Sequence, residues 1–286
     1  MLVTLIGVTL IFNDSCARDQ ADTTETVYEL IKLFDFPDEL EENSGIIVYD
    51  SLIWSFNDSG NEPLLYGISL VTGSIAKRIR VTDANNIDWE DIAQNEQFMF
   101  IGDFGNNDGS RQNLKIYILP KNEIDSVAYQ ELSAEAINFS YNDQVDFTPS
   151  MYASKFDCEA MVYANDSLYL FTKDWVNMMT HVYSLPAAGG TYSARHIEDY
   201  NSEGLISGGT ITNENKLILC GYNLFSPFVI EFAVFGNYSE GITRINLDEL
   251  SGVQVEGIAE DKNDRYYISN ENSIKKQALY QVRIIH

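Results

Sequence analysis

Five short extended stretches open on a similar signature at nearly constant spacing, and this repetition constrains the fold more than any single residue. They are Ser44-Gly45-Ile46-Ile47-Val48, Glu90-Asp91-Ile92-Ala93, Glu159-Ala160-Met161-Val162, Gly208-Gly209-Thr210-Ile211 and Glu256-Gly257-Ile258-Ala259. From first residue to first residue the steps are 46, 69, 49 and 48. An internal period of this size marks a repeat architecture, in which each unit buries its apolar face against the next.

Each signature leads into a turn and a second apolar run. Asp50-Ser51 precedes Leu52–Phe56, and Asn165-Asp166-Ser167 precedes Leu168–Phe171. Asn and Asp suit such turns because they tolerate positive φ and bond their own backbone. A third strand follows in every unit, for example 64–68, 114–118 and 279–283. A more polar fourth, such as 77–81 or 243–247, completes most of them. Four strands per unit of about 45 residues is the pattern of a β-propeller blade. The spacing predicts an all-β, five-bladed β-propeller. The long step between Glu90 and Glu159 carries an extra stretch, Tyr141 to Phe156, read as a loop over one face. A degenerate sixth blade is the alternative. The fifth unit ends after three strands, and the alternating stretch Val27–Phe34 is free to supply the fourth. Pairing the N-terminal strand with the last blade would close the ring and remove two open edges.

The chain carries 43 acidic residues against 18 basic ones, a formal charge of −25. Such a surface repels phosphate backbones, so no nucleic-acid partner is expected. Met1 to Phe12 is almost wholly apolar, too short to span a bilayer but suited to the core of an export signal. Cys16 follows Ser15, in the manner of the lipid-attachment cysteine of bacterial lipoproteins. A plain cleaved signal with an incidental cysteine is the alternative. The predicted organisation is an export segment over 1–16, a flexible linker over 17–26 and one propeller domain over 27–286. The expected location is periplasmic or at the cell surface, with membrane contact only through the anchor. Cys158 and Cys220 fall inside predicted strands and read as small buried hydrophobes, with a bridge between them as the alternative.

The segments Glu42–Ile46, Trp54–Asn61, Asp88–Ala93 and Gly102–Asn107 together resemble a group of exported bacterial β-propeller lipoproteins. The Ser-Gly-Ile and Glu-Gly-Ile openings are more distantly similar to those of SdiA-regulated and esterase-like-phytase propellers. The resemblance spans most of residues 25–286 and thins in the fourth unit, where Gly208-Gly209 replaces the acidic opening. It implies fold and export. It says little about activity, since propellers host unrelated functions.

In a blade, the start of the innermost strand and the end of its antiparallel neighbour lie on the same rim. Strand openings carry Glu90, Glu159 and Glu256, with Asp88 and Asp157 two residues before the first two. Second-strand ends carry Asp58, Asp103, Asp174 and Glu271. These carboxylates are therefore expected at one mouth of the central channel. Three roles compete. The acids can accept hydrogen bonds from loop N–H groups and fix the register of the blades. With Asn57, Asn106 and Asn270 they can offer the oxygen ligands that Ca²⁺ takes. Or one can act as general base beside a metal that polarises a substrate.

Signs of other chemistry are weak. His181 begins a third strand, His196 lies in an outer strand and His286 is terminal, so neither a His dyad at the mouth nor a Ser–His–Asp relay is supported. Residues 102–109 lack the Gly-Lys-Ser/Thr ending of a phosphate loop. Arg111 can pair with Asp103 or Asp108, or stand exposed. Trp54, Trp89 and Trp175 recur near the acidic rim, either as a stacking surface for a sugar or peptide or as wedges between blades. The sequence reading is an exported, lipid-anchored binding module for a protein, small-molecule or glycan partner, with or without structural calcium. Its alternative is a metal-assisted hydrolase of esterase, phosphatase or lactonase type.

Overall fold

The computed structural model describes residues 27–285; the export segment expected over 1–16, with Cys16, the linker expected over 17–26 and His286 lie outside the described residues. Strand β1 is Val27–Asp35. The first unit holds β2 (Asn43–Tyr49), β3 (Leu52–Asn57), β4 (Leu64–Ser69) and β5 (Ile75–Val81). The second holds β6 (Trp89–Gln94), β7 (Phe98–Asp103) and β8 (Leu114–Pro120), followed by β9 (Tyr129–Leu132) and β10 (Glu135–Tyr141). The third is β11 (Asp157–Ala164), β12 (Ser167–Lys173), β13 (Thr180–Pro186) and β14 (Gly190–Tyr200). The fourth is β15 (Leu205–Ile211), β16 (Leu217–Asn223), β17 (Ser226–Phe232) and β18 (Ile242–Asn246), and the last is β19 (Val255–Glu260), β20 (Tyr266–Asn270) and β21 (Ala278–Ile285).

The architecture is all-β and propeller-like. Within units the strands meander antiparallel, and β1 pairs antiparallel with β21, so the chain's N-terminal strand completes the last sheet. The tight turns follow from their residues: Asp50-Ser51 and Asn165-Asp166 all adopt positive φ, the geometry of a two-residue hairpin. The ladders form four sheets rather than one per unit, because β10 and β14 pair in parallel and join the second and third units into one eight-stranded sheet. Strand β9 adds to the outer edge of the first unit, parallel to β5. These edge additions cover backbone groups that would otherwise face solvent unpaired.

The innermost strands β2, β6, β11, β15 and β19 each neighbour the next, and β19 returns to β2. An apolar cluster fills each seam between successive units. Trp54 and Phe56 meet Trp89 and Met99; Phe100 and Ile116 meet Met161 and Leu170. Val162 and Phe171 meet Ile206 and Leu219; Cys220 and Val229 meet Val255 and Ile268; Tyr267 and Leu279 meet Ile46 and Ile53. Each fully buried Leu, Ile or Phe contributes roughly 1.5–3 kcal/mol, so the seams rather than the ladders hold the units in place. Cys158 and Cys220 are free and buried in this core.

Residues 142–156 form the long connection expected as a loop. Tyr141 itself ends β10, an alternating fourth strand of the second unit that buries Ile137, Phe139 and Tyr141. The loop lies against residues 107–109: Ser150 N donates to Asp108 O (2.8 Å) and Tyr152 N to Asn107 O (2.9 Å). Among the described residues no helix is long and apolar enough to cross a membrane.

Candidate functional site: the acidic channel mouth

Every innermost strand breaks its ladder near its start. The register shifts between Ser44 and Ile47, Trp89 and Asp91, Cys158 and Ala160, Ile206 and Gly208, and Val255 and Gly257. Such bulges re-aim a side chain and tighten local twist. They leave Glu90, Glu159, Ser207 and Glu256 outside the ladder, and Ser44 at the edge of the first break. The fourth unit's equivalent position is therefore Ser207, one residue before the Gly208 opening expected from sequence.

The next residue in each strand faces the axis and is Gly45, Asp91, Ala160, Gly208 or Gly257. Asp91 fills the middle. Its Oδ1 accepts from Ile92 N (2.8 Å) and its Oδ2 from Met161 N (2.7 Å), and Gly209 supplies a further backbone donor. The other four are small because the strands crowd there. A Cβ on Gly45, whose φ is +35°, would lie 2.7 Å from Asp91 Cα, and one on Gly257 would lie 2.8 Å from Ile46 N. This layer forms the floor of the mouth.

Above it opens a cavity of about 220 Å³ lined by Glu90, Glu159, Glu256, Asp58 and Glu271, together with Asn43, Lys173, Tyr222, Tyr152 and Trp175. Five of the carboxylates anticipated at the mouth thus share one cavity. Glu90, Glu159 and Glu256 are almost wholly buried, and among the described residues no backbone N–H reaches their carboxylates. Glu159 instead meets a cation and shares a side-chain hydrogen bond with Glu90. Lys173 Nζ lies 2.9 Å from Glu159 Oε2 and 3.3 Å from the Tyr222 hydroxyl, between the rings of Trp175 and Tyr222 at 5.4 Å each. Gly105 is pressed against the cluster, where a Cβ would come 2.2 Å from Glu90 Oε1.

The electrostatics follow from burial. Desolvation pushes the Glu90 carboxyl well above its ordinary range, and the charges of Glu159 and Asp88 add to it. Glu159 is also raised, because burial outweighs the attraction of Lys173. Glu256 is raised by burial against Lys173, with Glu271 and Glu159 pushing the same way. Asp58 rises to about 7 through burial and the charges of Glu42, Asp88 and Glu271. For Lys173 burial works to lower the pKa, yet Glu159, Tyr222, Glu256 and Glu90 together hold the ammonium charged well above its usual range. The mouth is a proton-holding carboxyl cluster built around one fixed ammonium.

The remaining candidates hold loops. Asp103 is fully buried, accepts from Asp88 N at 3.1 Å and pairs with Arg111 Nη2 at 2.9 Å. Arg111 also donates to Gly105 O at 2.7 Å, so it clamps the 103–111 turn and is not exposed at the rim. Asp174 caps its own turn through Val176 N and Asn177 N, at 3.0 and 2.9 Å. Asn57 bonds Glu39 O and Glu42 N; Asn106 bonds Phe156 O and accepts from Arg111 N. Asn270 bonds Glu271 O and Lys276 O. Trp54 and Trp89 are buried in the seam between the first two units, their indole N–H groups on Tyr49 O and Asn85 O. Of the three tryptophans only Trp175 lines the mouth. It donates to Asp157 Oδ2 at 2.8 Å and packs on Tyr152 at 4.6 Å.

Lys173, Tyr222, Asn43 and Asp91 were not singled out from sequence. A usable signal existed for Lys173: it is a lysine inside an apolar strand of a strongly acidic chain, one residue before a predicted rim acid.

No family model matches the chain, and no curated protein matches it. Solved structures do. A luciferin-regenerating enzyme superposes with a TM-score of 0.51 at 12% identity, over 90% of this chain and 95% of that one. Regucalcin from Agrobacterium tumefaciens strain C58, a calcium-binding protein, gives 0.51 at 13% identity over 90% and 94%. A glucose dehydrogenase gives 0.53 at 9% identity over 88% and 99%. At such identities the likeness is one of fold alone, and the fold is that of β-propeller proteins.

Proposed function

We propose that the chain is an exported, lipid-anchored, five-bladed β-propeller that works as a binding module, its mouth taking a small cationic ligand. The blade count rests on the five innermost strands and the five apolar seams between units. Export and anchoring rest on the apolar Met1–Phe12 and Cys16. The partner is a small molecule, glycan or protein presenting positive charge, and not a nucleic acid.

One observation carries the binding reading. Glu90, Glu159 and Glu256 converge on an open cavity without backbone donors, while Asp58 and Glu271 line its wall. Carboxylates that served only to fix blade register would be met by loop N–H groups. Lys173 offsets the charge of one of them, and a cation entering the cavity would take the place of the protons that burial makes the others hold. Asn43 lines the same cavity, and its buried Oδ1 has no hydrogen-bond partner among the described residues. Carboxylate and amide oxygens are the ligands calcium takes. Regucalcin shares the fold and binds calcium, which makes calcium the first cation to try.

Thermal melting with added calcium tests this. A ligand that binds only the folded state raises the melting temperature by mass action. We expect a rise at millimolar calcium that Glu256→Gln and Asp58→Asn remove. A melting temperature unmoved by calcium, and by a diamine such as putrescine, would sink the cation reading.

A second reading is metal-assisted hydrolysis of an ester, lactone or phosphate monoester. It is favoured by Asp58, whose carboxyl at about 7 is poised to exchange protons near neutral pH. Calcium-dependent turnover of such substrates, lost in Asp58→Asn, would support it. Turnover that persists in Asp58→Asn would exclude this residue as the base.

A further inference from the structure

A second cluster lies on the outer strands of the third unit. Strands β13 and β14 pair antiparallel, with His181 opposite Asp199. His196 and Asp199 stand three residues apart on β14, and a regular strand would send them to opposite faces. The register shifts between Val182 and Tyr183, leaving Ile197 without a partner across the ladder. That extra residue turns His196 to the face of Asp199 and His181. His181 Nδ1 then lies 2.5 Å, and His196 Nε2 2.7 Å, from the same oxygen, Asp199 Oδ1. One ligand atom from each of the three residues falls within 4.8 Å of the others.

A second carboxylate stands behind the first histidine. Asp174 Oδ2 is 3.2 Å from His181 Nε2. Asp174 is itself buried and held by Val176 N, Asn177 N and Asn177 Nδ2, the last at 2.8 Å. A carboxylate on one imidazole nitrogen, with the other nitrogen turned to a shared point, is the arrangement that orients metal-bound histidines.

We propose that His181 Nδ1, His196 Nε2 and a carboxylate oxygen of Asp199 form a site for a divalent transition metal of the zinc class, with Asp174 as positioning residue. Two imidazoles select such metals over calcium, which prefers oxygen donors throughout. Zinc bonds nitrogen at about 2.0–2.1 Å, so ligand atoms around it stand farther apart than the present 2.5 Å contact. Asp199 has the freedom to open that spacing, because half of its side chain is exposed. Three protein ligands leave one position for water or a small ligand. The site does not rest on the cationic reading of the mouth, with which it shares only the turn that follows Lys173.

The test uses tag-free protein, titrated with Co²⁺ as a coloured stand-in and then with competing Zn²⁺. We expect one metal per chain. His196→Ala, at a partly exposed position that leaves the core intact, should abolish it. Asp174→Asn should keep the stoichiometry and weaken affinity about 10–100-fold. Glu256→Gln at the mouth should leave uptake unchanged. Uptake that is lost in Glu256→Gln would assign the metal to the mouth and overturn the site. Absence of uptake at a large excess of either metal, or uptake that survives in folded His196→Ala, overturns the site. Affinity unaltered in Asp174→Asn overturns the positioning role.

Discussion

The same bulge position is used in two ways around the ring. In the first and fourth units it is a serine. Ser44 Oγ donates to Glu90 O and Ser207 Oγ to Val255 O, each at 2.5 Å and each to the following unit. In the second, third and fifth units it is a glutamate that meets no backbone donor and faces the cavity. A serine there is fully satisfied by the fold. A glutamate there is a buried charge that the fold leaves to Lys173, to protons or to a ligand. The contrast separates what joins the units from what the mouth offers to a partner.

The largest expected effect comes from removing Lys173, the cation that lines the mouth. Lys173→Met leaves Glu159 and its neighbours buried without a counter-charge, and breaking a buried pair in this way costs about 3–5 kcal/mol. Urea unfolding at pH 8 should show that loss. At pH 5 the loss should shrink, because the carboxyls can take up protons instead. A loss equal at both pH values would mean that Lys173 acts by packing between Trp175 and Tyr222, and that the glutamates are not a charged cluster.

The serines should behave otherwise. Ser207→Ala leaves the Val255 carbonyl buried without its donor, at a cost of roughly 1–2 kcal/mol. That cost should be the same at pH 5 and pH 8, and calcium should shift the melting temperature of the variant as it does the parent. A pH-dependent effect would dissolve the distinction between the two kinds of bulge.

Much of the fold was legible, for local reasons. Hairpins announce themselves through Asn and Asp at positive φ and through apolar runs on either side, and β1 could be assigned because an alternating strand stood outside the first unit. Strand β9 was missed because it is four residues long, polar and held by β5, distant in sequence; β10, an alternating strand on β8, was left incomplete because its last residue, Tyr141, was read into the loop. The fourth bulge was misplaced by one residue because Gly208-Gly209 looks like an opening, whereas the ladder breaks at Ser207. At the mouth, carboxylates were legible from their periodic offset. Which of them face the cavity was not, since Asp103 and Asp174 share that offset but are claimed by Arg111 and by a turn. Lys173 was illegible for a related reason: its charge has meaning only once three separate units place acids around it.

Glu256→Gln carries the smallest expected effect and the sharpest sign. A carboxyl whose pKa is higher in the folded chain than in the unfolded one binds its proton more tightly when folded. The stability it contributes is complete below the unfolded value and is lost as pH rises through the folded value. For Asp58 that window runs from the ordinary 3.8 to about 7, and Glu256 is displaced in the same direction. The parent should therefore lose stability from about pH 4 to above pH 7, opposite to a protein whose acids are ion-paired. Replacing Glu256 by the neutral Gln removes one contributor. It should stabilise the chain at pH 8 by on the order of 1 kcal/mol, and by progressively less as pH falls to the ordinary carboxyl value. Equal stabilisation at pH 8 and at pH 4 would place the effect in packing. Destabilisation at pH 8 would show that Glu256 is ionised and matched by Lys173 in the folded chain, which would move this bulge from the ligand-facing class to the structural one.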